Sequence, residues 1–365
     1  MKILYVTTVG GTMGFFKDFI KRLIDEGNDV DIATNEQDYP IPQCYYEWGC
    51  NIFHIDTSRS PLSFGNVRAI KQLKKIVSEN KYDIVHCHTP IAAMCTRIAC
   101  RRARKSGTRV IYTAHGFHFF RGAPKKNWLL YYTVEKLCAR FTDVLITINR
   151  EDYDLAKRKL CAGRVEYVAG VGIDVDRFTG VTVDKAQKKA SLGIGENAPV
   201  VFSVGELNEN KNHRTALYAI SKIDGVHYVV AGKGALLTSL NETAASLGIS
   251  DRVHFLGYRE DVLELYGIAD VFLHPSYREG LPVSVMEAMA SGLAIVASRI
   301  RGNEDLVEDA GGILVAPSDV SGFRAALEKL ICDRASRLAM GEYNKEAAKK
   351  YSSSVIDGAL LEIYG

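Results

Sequence analysis

Short apolar runs rich in β-branched residues alternate with stretches of helical period along almost the whole chain, and this alternation constrains the fold more than any other feature. "ILYVTT" is followed by a glycine loop from Gly10 to Gly14. A helix-period stretch comes next, with Phe16, Phe19, Ile20, Leu23 and Ile24 on one face and Gly27 at its end. The same succession of strand, turn and helix recurs at "DVDIAT", "NIFHI", "DIVHCH", "RVIYTAH", "DVLITI" and "RVEYVA". It starts again at "PVVFSV" and continues through "VHYVVAG", "VHFLG", "DVFLHP", "AIVAS" and "GILVA". Strands this apolar must be covered on both faces, as in a parallel sheet with crossover helices. The chain therefore reads as α/β with two doubly wound domains. Their boundary falls in "VGIDVDRFTGVTVDKAQ", where the periodicity lapses. This gives a first domain over residues 1–178, a second over 179–343, and a helical tail over 344–365 able to pack back on the first.

A length of 365 residues, with 47% hydrophobic and 24% charged side chains, suits two soluble domains with sizeable cores. No apolar run reaches the roughly 18 residues of a membrane span, and "MKILYVTTVGG" lacks the cleavage site of a signal peptide, so it reads as a first buried strand. The eight cysteines include no CxxC pair, which points to reduced thiols in a cytoplasm. Net charge is only +3, but residues 1–178 hold 27 Lys and Arg against 19 Asp and Glu (+8), and the remainder 19 against 24 (−5). A basic half suits an anionic membrane, a nucleic acid or an acidic substrate. The chain has no helix-turn-helix, zinc finger or RNP-like segment, which argues against nucleic acid.

The segment "REGLPVSVMEAMASG", Arg278 to Gly292, sets Glu279 and Glu287 eight positions apart around Gly-Leu-Pro. "DVFLHPS" is the strand before it and "YREG" the exit loop; Pro282 suits the first turn of a helix and Gly292 its end. Ligands of doubly wound sheets bind at such exits, where helix N-termini offer free N–H groups. Gly280 removes side-chain bulk, so amides near Leu281, Val283 and Ser284 can face an anion such as a diphosphate. Glu287, about a turn and a half into the helix, can chelate the two hydroxyls of a ribose. Two unrelated surface glutamates are the commoner explanation of any such pair. The loop, the glycine, the proline and the spacing together favour a site.

Glu279, "GLP" at 280–282, Glu287, "AMA" at 288–290 and Gly292 resemble the EX7E signature of retaining glycosyltransferases of family 4. That family has the GT-B fold, two Rossmann-like domains facing each other across a cleft. The likeness continues through Gly10 and Gly11, "HG" at 115–116, "GIDVDRF" at 172–178, "GEL" at 205–207 with Lys211, "AGKG" at 231–234 and "FLGY" at 255–258. "DIVHCHTP", "YTAHGFHFFRGAPKKNWLLYY" and "GELNENKNH" look most like the subgroup found in bacterial exopolysaccharide and capsule pathways. The resemblance implies a UDP-linked sugar, with a hexosamine as one candidate, held mainly by the second domain, and an acceptor held by the first. It also implies that Glu287 holds the donor ribose, Glu279 contacts the transferred sugar, Lys211 binds the diphosphate, His115 lies near the reaction centre and Gly11 closes over the phosphates. Catalytic roles then fall to Glu279, His115 and Lys211. Donor contacts fall to Gly11, Gly205, Lys211, Gly232, Gly234, Gly257, Tyr258, Glu279, Gly280, Leu281, Val283 and Glu287. No cofactor is implied beyond the nucleotide-sugar substrate.

One position departs from the pattern. Family members usually carry an arginine where this chain has Glu206, and a carboxylate cannot stabilise a leaving phosphate. Asn208, Asn210 or Asn212, a basic residue from another segment, or Lys211 and the helix N-terminus alone must serve instead. No metal is assigned. "DVD" at Asp174 to Asp176 offers an Asp-x-Asp only superficially, and His86 and His88, sharing a strand face, suit packed histidines at least as well as a metal pair. The retention implied by the resemblance, with no obvious covalent nucleophile, points to same-face substitution in which the departing phosphate helps remove the acceptor proton.

Read as one helical stretch, Pro90 to Ser106 places Arg97, Arg101, Arg104 and Lys105 on a stripe with Arg102 beside it, which a solvated helix face would also explain. "KKNWLLYYTVEKL" adds two lysines before a cluster of Trp and Tyr suited to a membrane interface. The expectation is a cytoplasmic protein attached peripherally, through its first domain, to the anionic inner face of the plasma membrane, with a polyprenyl-diphosphate-linked glycan as acceptor. A nucleotide-sugar epimerase of the same fold and a non-catalytic nucleotide-sugar-binding protein are the competing readings.

Overall fold

The computed structural model describes residues 1–37, 39–58, 60 and 63–365. The chain divides into two compact units, Met1–Val171 with Ile356–Gly365, and Gly172–Val355. In the first, β1 (Lys2–Val6), β2 (Asp29–Thr34), β3 (Ile52–His54), β4 (Ile84–His88), β5 (Arg109–Ala114), β6 (Val144–Thr147) and β7 (Arg164–Tyr167) form a parallel sheet in the order β3-β2-β1-β4-β5-β6-β7. In the second, β8 (Val200–Val204), β9 (His227–Ala231), β10 (Val253–Phe255), β11 (Val271–His274), β12 (Ala294–Ser298) and β13 (Gly312–Val315) are parallel in the order β10-β9-β8-β11-β12-β13. Every strand lies within one of the apolar runs quoted from the sequence.

The period of two decides which residues meet which layer. Leu4, Val6, Val85, Cys87, Val110 and Leu145 face the helices Gly65–Asn80 and Pro90–Ala99, packing on Ala69, Leu73, Val77 and Ala92. Ile3, Tyr5, Ile84, Ile111 and Ile146 point the other way, onto Phe19, Ile20 and Leu23 of the helix Lys17–Asp25. In the second unit Val201, Tyr228, Val230, Val271, Leu273 and Val296 pack on Ala216 and Leu217 of His213–Ile220 and on Phe323 and Leu327 of Val320–Cys332.

The division differs from the expected 178/179 boundary and the 344–365 tail. Ile173 forms a bridge with Ser352 and the short helix Val175–Thr179 packs on the helix Val283–Ala290, so "GIDVDRF" belongs with the second unit. The helix Arg334–Ala348 stays there too, its Asn344 amide donating to the carbonyls of Leu293 and Gly311 at 2.7 Å each. Only Ile356–Gly365 joins the first unit. Ile356, Ile363 and Tyr364 enter its core, the Tyr364 hydroxyl meets Tyr5 Oη at 2.7 Å and His86 Nδ1 at 2.6 Å, and the Arg109 guanidinium donates to the Ile363 and Tyr364 carbonyls at 2.5 and 2.7 Å. That last contact satisfies carbonyls left open at a helix C-terminus.

The basic stripe is also corrected. The helix ends at Ala99 and a separate turn spans Ala103–Ser106, so the arginines do not share one face. Arg97 is fully buried, forks onto both oxygens of the buried Glu135 and stacks 4.3 Å from the Tyr112 ring. Arg104 is spent on Asp143, at 2.5 and 3.0 Å; Arg101, Arg102 and Lys105 remain exposed. Removing one partner of a buried pair strands a charge in a poorly solvating interior. We therefore expect Arg97→Met to lower stability by about 3–5 kcal/mol, read from the urea midpoint, and Glu135→Leu added to it to restore most of the loss. An Arg97→Met protein as stable as the original would contradict this account.

Candidate active site

In both sheets the strand order reverses in the middle, between β1 and β4 and between β8 and β11, so consecutive exit loops run to opposite sides and part there. In the second unit β11 ends at His274, the chain bends at Tyr277, and the helix Val283–Ala290 begins after Pro282. Glu279 lies in that exit loop. Its Oε1 accepts from Lys211 Nζ at 2.8 Å and from His274 Nε2 at 3.1 Å; a carboxylate has no proton to give, so the imidazole carries its proton on Nε2. Burial acts to raise the Glu279 carboxyl, but the hydrogen bond from His274 and the Lys211 ammonium outweigh it and hold the group well below the usual carboxylate range.

Lys211 comes from the exit loop of β8. Its alkyl chain crosses Gly205, where an added Cβ would sit 3.1 Å from Lys211 Cε and φ is +158°. The Asn208 side chain accepts from the Lys211 N–H at 3.0 Å, and Asn210 Nδ2 donates to the Arg278 carbonyl at 2.8 Å, stitching this loop to the one that bears Glu279. Both amide protons of Asn212 go to the carbonyls of Pro275 and Pro317. Asn210 and Asn212 therefore hold the loops together, and Glu206 is exposed.

Two of the glycines named from the sequence, Gly232 and Gly234, serve close packing of exit loops. A Cβ on Gly232 would lie 1.8 Å from the Gly205 carbonyl oxygen, and one on Gly234 would lie 2.3 Å from that of Leu207. The Gly232 N–H donates to the Gly257 carbonyl at 2.8 Å, and Tyr258 stands exposed with the Lys233 ammonium 5.8 Å from its ring centre. The loops after β8, β9 and β10 thus stack with almost no side chain between them. Gly302, after β12, is held to glycine in the same way: a Cβ there would lie 2.3 Å from the Gly280 carbonyl oxygen.

Past this loop, the first N–H groups of the helix Val283–Ala290, those of Val283 and Ser284, precede any intrahelical acceptor, and Leu281 is buried just before them. Glu287 is largely buried, and Tyr266 Oη donates to its Oε2 at 2.9 Å. Burial raises the Glu287 carboxyl, while the Tyr266 bond and the Arg177 charge draw it back. Asp174, in the Asp-x-Asp noted above, accepts from the Arg177 N–H and caps the helix Val175–Thr179.

His115 and Gly11 lie in the first unit. His115 follows β5, with Nε2 3.1 Å from His88 Nδ1, and the Phe16 ring is 4.2 Å from His88 and 5.9 Å from His115. The expected glycine loop is a tight helical turn, Gly10–Phe16. Gly10, not Gly11, is the glycine its packing requires: a Cβ there would lie 2.5 Å from the Tyr39 carbonyl oxygen, whereas one on Gly11 meets only Tyr39 Cβ at an ordinary 3.5 Å. His86 is bonded to Tyr364 and to Thr113 Oγ1. Among the described residues, no group of three or more His, Cys, Asp or Glu is placed to hold a metal ion. Sequence reasoning missed His274, Tyr266 and the His88 contact to His115; "FLHPS" and "DIVHCH" carried a signal for the two histidines, whereas Tyr266 reads as one more apolar helix position.

Comparison with known proteins decides the family. The Glycosyl transferases group 1 family profile matches residues 184–347, and the Glycosyl transferase 4-like profile matches residues 2–149. EpsD of Bacillus subtilis, named as a candidate glycosyltransferase, is 36% identical over all of this chain and 96% of its own length. This chain is a family 4 glycosyltransferase. The enzyme is also 31% identical, over 74% of its length and 73% of the relative's, to an Escherichia coli protein, UDP-Gal:α-D-GlcNAc-diphosphoundecaprenol α-1,3-galactosyltransferase. Its fold is GT-B: Anabaena HepE, solved in complex with UDP, superposes with a TM-score of 0.84 at 20% identity, covering 100% of this chain and 99% of the other.

The buried histidines of the glycosyltransferase's first unit make a pH prediction. Burial lowers His86 to about 3 and His115 to about 4, and lowers His88 well below the ordinary value. The folded unit thus leaves them neutral, while the unfolded chain protonates them below about pH 6.5. Their contribution is complete above that pH and declines as pH falls toward 4. Asp357, raised by burial to about 6, works in the opposite sense, but it is one group against three. We expect the melting temperature of this unit to fall between pH 6.5 and 5, above the ordinary carboxylate range; a flat profile there would contradict it.

Proposed function

We propose that this glycosyltransferase moves a sugar from a UDP-linked donor, a hexose or N-acetylhexosamine, to a polyprenyl-diphosphate-linked glycan in exopolysaccharide or capsule synthesis, with retention at the anomeric carbon and without a metal. The observation that carries the proposal is the pairing of Lys211 with Glu279 at the mouth of the helix Val283–Ala290. As the bond from sugar to phosphate breaks, the diphosphate gains negative charge and the anomeric carbon gains oxocarbenium character. An ammonium has three protons and Glu279 takes one, so two remain for phosphate oxygens. The helix amides add fixed partial positive charge, which compensates in part for Glu206. Glu279, held ionised, supplies hydrogen-bond acceptors to sugar hydroxyls, and Glu287 supplies them to the ribose. Departing phosphate on the same face accepts the acceptor's proton. The Escherichia coli relative, with a UDP-sugar donor and a diphosphoundecaprenol acceptor in its name, supports both substrate classes.

A lipid-linked acceptor favours attachment to a membrane surface, and no helix among the described residues is long and apolar enough to cross one. The continuous helical segment over residues 125–139, with a π turn at Trp128–Tyr132, supports peripheral docking through the first unit. Its Trp128 and Tyr132 are half-buried, packing on Phe119 at 5.6 and 5.4 Å, so only part of each ring is left for a surface. What it exposes is Leu129, Leu130 and Leu137 among Lys125, Lys126, Lys136 and Arg140, while its single acid, Glu135, is buried against Arg97. Apolar side chains ringed by cations suit an anionic leaflet at the inner face of the plasma membrane.

Two experiments test this. UDP release from a panel of UDP-sugars should require a polyprenyl-diphosphate-linked acceptor, and Lys211→Ala should lower kcat by about 10²- to 10³-fold. Release that is independent of Lys211 would sink the assignment. Vesicles rich in anionic lipid should sediment the protein at low salt, and Leu129→Asp with Lys126→Glu should abolish it; wild-type protein left in the supernatant would rule out the docking face.

A further inference from the structure

Glu287 is gripped by a group to which the reaction gives no role. Tyr266, on the helix Val262–Ile268, is 1% exposed, and its ring lies 5.8, 5.1 and 5.7 Å from those of Phe178, Phe202 and Phe272. Packing alone would be served equally well by phenylalanine, yet a hydroxyl is carried into this apolar cluster, where an unpaired polar group is costly. That hydroxyl is 2.9 Å from Glu287 Oε2 and 3.1 Å from the Ser284 carbonyl oxygen. A phenol has one proton to donate, and the ionised carboxylate is the stronger acceptor. Ser284 sits one turn back on the same helix, so the hydroxyl touches both the acid and the backbone that bears it.

We propose that Tyr266 is a positioning residue for donor binding: it holds the Glu287 carboxylate in one orientation, so that the two hydroxyls of a nucleotide ribose meet an acceptor already set. This rests on the reading of Glu287 as the ribose-binding acid. A flexible glutamate in solution loses rotamer freedom when it binds a diol, and a side chain already fixed by its neighbour does not. Tyr266 also opposes protonation. Burial favours the neutral acid, which would give up acceptor capacity, and the Tyr266 bond together with Arg177 from the helix Val175–Thr179 acts the other way. Other titratable groups on elements packed against the helix Val283–Ala290 are Asp176 on Val175–Thr179, His274 on β11, Glu304 and Asp305 on Asn303–Leu306, and Arg334, Arg337, Glu342, Lys345 and Glu346 on Arg334–Ala348.

The test is calorimetric titration of wild type, Tyr266→Phe and Glu287→Ala with UDP and with 2′,3′-dideoxyuridine diphosphate, which lacks both ribose hydroxyls. Wild type should prefer UDP. Tyr266→Phe should lose about tenfold in UDP affinity and little for the analogue, and its UDP affinity should fail at a higher pH than that of wild type as the solution is acidified. Because the ratio of the two ligands is read within one variant, a partly unfolded sample does not mimic the effect. Tyr266→Phe binding UDP like wild type, or losing both ligands equally, would overturn the proposal. Should Glu287→Ala keep the full preference for UDP, the ribose reading of Glu287 fails. Should Glu287→Ala lose the preference and Tyr266→Phe keep it, only the role of Tyr266 fails.

Discussion

A parallel sheet wound outward from its middle strands leaves one place where neighbouring exit loops part, and in the second unit that place lies between β8 and β11. Lys211 arrives there on one loop and Glu279 on the other, and their 2.8 Å ion pair closes the gap. Either charge alone at this depth would be poorly solvated. Together, with His274 behind the carboxylate, they form a cluster that is close to neutral and leaves ammonium protons that Glu279 does not take.

The loops can approach this closely because their walls are backbone. Gly232 and Gly234 stand where a single methyl group would collide with a carbonyl, Gly302 meets the Gly280 carbonyl in the same way, and Gly205 lets the Lys211 stem lie close against the backbone. Asn208, Asn210 and Asn212 then lock the arrangement by hydrogen bonds to Lys211, Arg278, Pro275 and Pro317. Asn212 adopts a left-handed conformation, φ +55°, which asparagine tolerates better than most residues. The three asparagines thus serve as the scaffold around Lys211. The ammonium is thereby held in place against Glu279.

Much of this was legible in the chain itself. Strands buried on both faces leave continuous apolar runs, and glycine and proline mark the ends of the helix that follows Glu279, so elements and topology could be read directly. Side-chain direction across long sequence separations could not. Arg97 looked like part of a solvated stripe because nothing local announces Glu135, 38 positions on, which draws it into the core. Trp128 and Tyr132 read as interface residues, and nothing local announces Phe119, against which both rings are partly buried. The hydroxyl of Tyr266 reaches an acid 21 positions away, a relation set by how two helices lie on one sheet. The C-terminal tail divided at Val355/Ile356 because only its last residues carry the apolar face and the tyrosine that fit against Tyr5 and His86.

We propose that a nucleoside diphosphate sits at the carboxyl end of the second sheet, over the start of the helix Val283–Ala290. A crystal structure of the enzyme with UDP tests it most directly. The diphosphate should lie within hydrogen-bonding distance of Lys211 Nζ and of the Val283 or Ser284 amide, with the ribose hydroxyls on Glu287. UDP found elsewhere on the molecule, or bound there with Lys211 still turned away from the phosphates, would contradict it.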